Sequence, residues 1–245
     1  MKTGTGGAEA PPSAATAASP QATAPVGHVG VPDVPAAGME PVRPGGALER
    51  LTAAMLTRVY NWHWVEPGLA RSAQMYGGHV RLLLRRHGIR AVVNLRGDNA
   101  GSPWYENERR TAAGLGLVHA DVALSSKRLP ERESLLLALD AVRDAPRPVL
   151  IKCSGGADRT GFVAGMALLD RHGAGALERA RRQTGFWPFL HRPKRHQRWI
   201  RAFFDFYAAD AGGRDLRDWI RTGYDAGRFA AFLEACGLAE AWKRD

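Results

Sequence analysis

The 245-residue chain reads as an α/β protein with a central, largely parallel sheet flanked by helices and a disordered N-terminal tail. Three observations predict this. From Leu69 onward, apolar runs of strand length alternate with longer segments of helical periodicity, the pattern of strands joined by crossover helices. One such run, Pro148 to Ile151, leads through a glycine-containing loop into a helical pattern from Thr160 to Asp170. Residues 1–47 differ from all of this, being rich in Ala, Pro, Gly and Thr with no periodic apolar pattern.

The elements follow in order. Residues 1–47 cannot bury enough apolar surface to offset the entropy of ordering, so they are expected to be disordered. Residues 48–208 are expected to form the main domain and 209–245 a C-terminal helical extension. Val59 to Trp64 carries Tyr60, Trp62 and Trp64, read as packing residues. The pattern then predicts a helix over Gly78–His87, a strand over Ala91–Leu95, a helix over Trp104–Gly114 and a strand over Leu117–Leu124. A helix over Glu131–Ala145 and a buried strand over Val149–Ile151 complete the alternation, after which helical patterns dominate. Phe186-Trp187-Pro188-Phe189-Leu190 forms a second aromatic cluster, the better candidate for a pocket wall, and Asp215 to Ala241 reads as one or two amphipathic helices.

The net charge is +10, and between Arg171 and Arg201 nine Lys/Arg stand against one acid, Glu178. Such a stretch is either a solvated helical face or a surface that steers anions. Dedicated nucleic-acid binding is not expected, because no helix-turn-helix, zinc-finger or RNA-binding signature accompanies the charge. The first residues lead into no apolar core of signal-peptide length, and no run of about 18 apolar residues occurs, so a transmembrane segment is not expected and a cytoplasmic location is. Of two cysteines, Cys236 reads as a plain buried thiol. No Cys/His grouping has metal-ligand spacing; neither metal nor cofactor is expected.

Cys153 is the other cysteine, in Leu150-Ile-Lys-Cys-Ser-Gly-Gly-Ala-Asp-Arg-Thr-Gly161. A loop between strand and helix meets an anion with successive backbone N–H groups and the positive end of the helix dipole. Ser154, Gly155, Gly156, Ala157, Asp158 and Arg159 are therefore the expected phosphate-binding residues, with Gly155 and Gly156 free to take positive φ and turn their amides inward. Arg159 offers a planar guanidinium that grips two phosphate oxygens. The same field is expected to lower the pKa of Cys153, whose thiolate would attack phosphorus and give a phosphocysteine that water hydrolyses. The Thr160 hydroxyl is placed to bond the Cys153 sulfur and improve it as a leaving group.

These residues resemble the signature of the cysteine-dependent phosphatases, in which tyrosine, dual-specificity and inositide phosphatases share a Cys-x5-Arg-[Ser/Thr] loop. The ending Asp158-Arg159-Thr160-Gly161 is similar to the bacterial and fungal dual-specificity-like branch, and Leu69-Ala-Arg-Ser-Ala-Gln74 and Gly88-Ile-Arg-Ala-Val-Val-Asn-Leu-Arg96 look like its first strands. Where that family has a His before the nucleophile, this chain has Lys152. The resemblance spans roughly Val65 to Ala208 and implies a dual-specificity-phosphatase-like fold. A rhodanese-like sulfurtransferase also uses a Cys loop ahead of a helix, but does not call for this ending.

The leaving oxygen needs a proton from a positioned acid. Most of the superfamily carries this Asp on a separate loop, and the matching stretch, His119 to Arg128, puts Ser125 or Ser126 there and Asp121 too early. The alternative is Asp158, since Cys-Ser-x-Gly-x-Asp-Arg-Thr resembles the myotubularin loop, whose Asp is assigned the acid role; like charges nearby would raise its pKa. Asp158 is preferred and Asp121 retained. The expected function is phosphomonoester hydrolysis of tyrosine or dual-specificity type on a phosphorylated protein or small anionic phosphate ester. Two alternatives stand beside it: an inositide or lipid phosphatase, and a catalytically weak phosphate-binding module. Arg96 and Arg71 are candidates either for substrate contact or for structural ion pairs.

Overall fold

The computed structural model describes Met1 and residues 46–240. The tail expected over 1–47 thus lies outside the described residues except at Met1 and positions 46 and 47, as do the last five residues of the extension. Helix α1 (Ala47–Val59) leads into β1 (His63–Glu66) and β2 (Leu69–Ser72), then α2 (Gly78–Arg86), β3 (Ala91–Asn94), α3 (Pro103–Gly114), β4 (Val118–Asp121), α4 (Arg132–Asp144) and β5 (Val149–Lys152). Helices α5 (Asp158–His172), α6 (Leu177–Arg182), α7 (Trp199–Asp210), α8 (Leu216–Thr222) and α9 (Ala226–Ala235) follow. The sheet runs β1-β2-β5-β3-β4. Every pairing is parallel except that of the edge strand β1 with β2. β4 is shorter than the apolar run that predicted it, although Val122 N–H still reaches the Asn94 carbonyl beyond its end.

Alternation along the strands builds two cores, since successive side chains leave opposite faces of a sheet. Leu69, Ala91, Val93, Val149 and Ile151 face α4, α5 and α7–α9, while Ala70, Val92 and Leu150 face α1–α3. Burial on both faces explains why the central strands read as continuous apolar runs. The C-terminal helices pack on the domain: Trp219 and Phe229 join Phe203 in a fully buried aromatic group. Cys236 departs from expectation. It caps the end of α9 and is exposed.

Helix α5 is central, and Thr160 through Leu169 are all buried. Two glycines allow neighbours this close: a Cβ on Gly161 would lie 2.5 Å from the Gln183 carbonyl oxygen, and one on Gly165 2.5 Å from the Phe204 ring. The chain after α6 is thereby drawn against the first turns of α5, next to the Cys153 loop.

Candidate active site

The parallel register aligns Ser72 and Asn94 with Lys152, so Cys153 emerges at the carboxyl end of the central strand. Open α/β sheets place ligand sites there. Cys153 is 2 % exposed, and α5 begins five residues later at Asp158. Of the two loop glycines free to take positive φ, only Gly156 does, at +66°. Gly155 has ordinary φ and open space around it. A Cβ on Gly156 would meet Ala73 N at 2.5 Å and Ser72 C at 2.6 Å. Gly156 is therefore required both by its φ and by close approach to β2.

Four consecutive loop carbonyls are pinned toward the protein. Ser154 O accepts from Gln74 N–H at 3.0 Å. Asn61 Nδ2 lies 3.4 Å from both Gly155 O and Gly156 O and donates to Phe189 O at 2.9 Å. Arg71 donates to Gly156 O at 2.8 Å and to Ala157 O at 3.4 Å. In a trans peptide the N–H points opposite to the preceding C=O. The amides of Gly155, Gly156, Ala157 and Asp158 consequently turn away from these anchors, toward the mouth of the loop. Successive amides so oriented form an anion-binding concavity.

Three guanidinium groups surround the loop. Arg71 is fully buried, bonds the Gln183 carbonyl at 2.8 Å and lies 4.0 Å over the Phe189 ring. It pairs with no carboxylate among the described residues, which sets aside the ion-pair alternative. Burial pushes its pKa down to about 9, opposed by its electrostatic interaction with Cys153. Arg96 stacks on Trp104 at 3.7 Å; burial and the nearby Arg159 lower its pKa, while Tyr76, Cys153 and Glu108 oppose them. Arg159, half-buried, donates through one terminal nitrogen to Leu95 O and Leu124 O, each at 3.3 Å. Thr160 Oγ1 is buried and has no hydrogen-bond partner among the described residues, the Cys153 sulfur included.

The two candidate acids have different surroundings. Asp121 ends β4 and is separated from β5 by β3. Its carboxylate accepts from Asn94 Nδ2 at 2.7 Å and Tyr105 OH at 2.5 Å, so both oxygens are engaged. Asp158 opens α5 beside the loop, with a side chain about 30 % exposed. Its Oδ2 accepts from Gln197 Nε2, which is also 3.2 Å from Ser126 Oγ, so the Ser125–Ser126 loop stands next to Asp158. Its Oδ1 lies 3.0 Å from Nε2 of buried His191. The other ring nitrogen, Nδ1, is 2.7 Å from the Thr184 carbonyl and must carry the proton, since a carbonyl only accepts.

Lys152 turns away from the loop. Its Nζ lies 2.7 Å from Glu108 and 2.8 Å from Gln74 Oε1, and His119 bonds Glu108 at 2.9 Å. Burial alone would raise the Glu108 pKa, but the His119 bond and the Lys152 charge outweigh it and hold the carboxylate below its ordinary value. The position before Cys153 thus belongs to a buried ion-pair network. Part of the basic stretch is paired as well: Arg171, His172 and Arg179 converge on Glu66, and Arg181 on Glu178 and Asp205.

Sequence reasoning singled out Cys153, Asp158, Arg159 and Thr160 but not the residues that hold them: Asn61, Gln74, His191 and Gln197. Asn61 has φ +49°, and Asn is the non-glycine residue that most readily takes that region. That was its only local signal.

No family model matches the chain, and no curated protein does. Among solved structures it is similar to the core catalytic domain of the PP-IP phosphatase SIW14 from S. cerevisiae, in complex with citrate (19 % identity, 73 % of this chain and 93 % of that one, TM-score 0.43). It is also similar to a putative phosphatase from Shewanella putrefaciens (18 %, 61 % and 92 %, 0.47) and to P. aeruginosa TpbA in complex with pTyr (20 %, 68 % and 93 %, 0.46).

Proposed function

We propose that this chain hydrolyses phosphomonoesters through a phosphocysteine intermediate. The observation that carries the reading is the set of four pinned carbonyls, which turns four successive amides toward one point at the mouth of the loop that begins with Cys153. Three nearby guanidinium groups add the charge an anionic ester needs. In the first step the Cys153 thiolate forms a sulfur–phosphorus bond as the ester P–O bond breaks, Arg159 binds the phosphoryl oxygens, and Asp158 gives its proton to the leaving oxygen. In the second step water breaks the sulfur–phosphorus bond, its proton returns to Asp158, and Cys153 leaves as the thiolate.

Asp158 is favoured over Asp121 as the acid by position. It adjoins the loop at the start of α5, whereas Asp121 ends β4 and is separated from β5 by β3. Within this chemistry the Cys-x5-Arg-Thr-Gly spacing supports the tyrosine or dual-specificity type, acting on a phosphorylated protein or small phosphate ester in a compartment that keeps thiols reduced. The test is phosphate release from phosphotyrosine peptides, phosphoserine peptides and phosphoinositides, with Cys153→Ser as control. Release from the peptides that disappears in the variant supports this reading; release from phosphoinositides alone reassigns the substrate class. No release from any substrate, with vanadate still bound, leaves a phosphate-binding module.

A further inference from the structure

The segment after α6 splits the aromatic cluster in two. Phe189 turns inward, 8 % exposed, beneath Arg71 and edge-on to His63. Phe186, Trp187 and Leu190 turn outward, exposed at 54, 79 and 54 %. Scattered apolar residues on a surface need no explanation, but large side chains grouped on one turn do. This turn is also fixed. Leu190 N–H bonds the Phe186 carbonyl at 2.5 Å, and Asn61 holds the Phe189 carbonyl. Leu190 has φ +55°, a region unfavourable for a branched apolar residue. The chain thus holds a strained backbone at a residue whose apolar side chain faces solvent.

Cations flank the tip in sequence. Arg182 precedes it, and Arg192 and Lys194 follow; all three are exposed, and none forms an ion pair among the described residues. Arg192 lies 5.7 Å over the Phe186 ring. Trp and Phe at a tip flanked by Arg and Lys match the anionic bilayer interface: the rings enter the headgroup boundary while the cations meet lipid phosphates and carboxylates. The high exposure of Trp187 makes the tip protrude, which suits insertion better than the flat, broad contact of a stable protein interface. No helix among the described residues is long and apolar enough to cross a membrane.

We infer that the Phe186–Leu190 turn is a membrane-docking tip that inserts Phe186, Trp187 and Leu190 into the interface of an anionic bilayer, with Arg182, Arg192 and Lys194 gripping the headgroups. This binding requires no turnover and stands independently of the phosphatase reading. The tip lies against the carbonyl side of the Cys153 loop, because Asn61 and Arg71 each touch both segments.

The experiment is co-sedimentation of the full chain with phosphatidylcholine vesicles, with and without phosphatidylserine, while hydrolysis of a soluble aryl phosphate is followed in parallel. The unmutated protein should bind the anionic vesicles and bind more weakly as salt is raised. Trp187→Ala should lower the partition coefficient about tenfold, as loss of one large buried apolar side chain does. Leu190→Gly removes the apolar group while relieving its φ, and should weaken binding without harming the fold. Arg192→Gln and Lys194→Gln should each cost about fivefold on anionic vesicles and nothing on neutral ones. All four variants should hydrolyse the soluble ester at the parent rate. The inference is overturned if the parent protein ignores phosphatidylserine vesicles, or if both Trp187→Ala and Leu190→Gly bind them undiminished. A self-association in sedimentation velocity that these two substitutions abolish would assign the tip to a second copy of the chain and also overturn it.

Discussion

Replacing Gly156 by Ala tests the geometry on which the anion cradle depends. Two costs combine. The residue sits at φ +66°, where a Cβ costs about 1–2 kcal/mol in the left-handed region. The new Cβ would also stand 2.5 Å from Ala73 N, 2.6 Å from Ser72 C and 2.9 Å from Ser72 O, all backbone atoms of or next to β2 that cannot rotate aside. Forcing apart such a contact costs about 1–3 kcal/mol in packed interiors. The expected destabilisation is therefore about 2–5 kcal/mol, a fall in Tm of about 4–20 °C for a domain of this size. Activity on an aryl phosphate should fall as well, since relief of the clash moves the amides away from Cys153. Gly155→Ala is the matched control: its φ is ordinary and its Cβ would meet nothing within 4 Å. It should stay within about 0.5 kcal/mol of the parent. Urea and thermal unfolding followed by circular dichroism read both variants. If Gly156→Ala unfolds with Gly155→Ala, the close approach of loop and strand is wrong.

The other expectations concern chemistry and charge. Asp158→Asn should lose roughly 10²-fold or more on an alkyl phosphate and far less on an aryl phosphate with a good leaving group, because only the poor leaving group needs the proton; that dependence appearing in Asp121→Asn instead would move the acid to β4. Arg159→Lys should be severely impaired in kcat/KM although charge is kept, since an ammonium lacks the bidentate fork. Glu108, held below its ordinary value of 4.5 by His119 and Lys152, contributes stability that is present above that value and lost as pH falls through the lower folded-state value. Glu108→Gln should therefore flatten the acid limb of a Tm-against-pH profile, and an unchanged limb would contradict the network. EDTA should leave phosphate release unaffected, whereas vanadate should inhibit it.

The loop was legible because its chemistry is local. Cys153, Gly156, Arg159 and Thr160 lie within eight positions between a buried strand and a helix, and the periodicities of both flanks are strong. The residues that hold the loop come from far along the chain: Asn61 reaches across 95 positions to Gly156, and Arg71 across 85. No periodicity records such contacts, which arise only once β2 lies beside β5 and the segment after α6 lies against α5. Lys152 illustrates the converse limit. Its departure from the family pattern could be read, but its partner Glu108 sits on α3, and only the fold brings the two to 2.7 Å. Which of Gly155 and Gly156 the turn would use was open in the sequence, because two adjacent glycines look alike there, while the turn needs positive φ at just one of them.

The measurement that tests the central claim most directly is acid-quenched peptide mass spectrometry of the protein during turnover of an aryl phosphate. The account predicts one phosphoryl group on the peptide containing Cys153, absent in Cys153→Ser together with phosphate release. Phosphate released at the parent rate by Cys153→Ser, with no adduct on Cys153 in the parent protein, would contradict it.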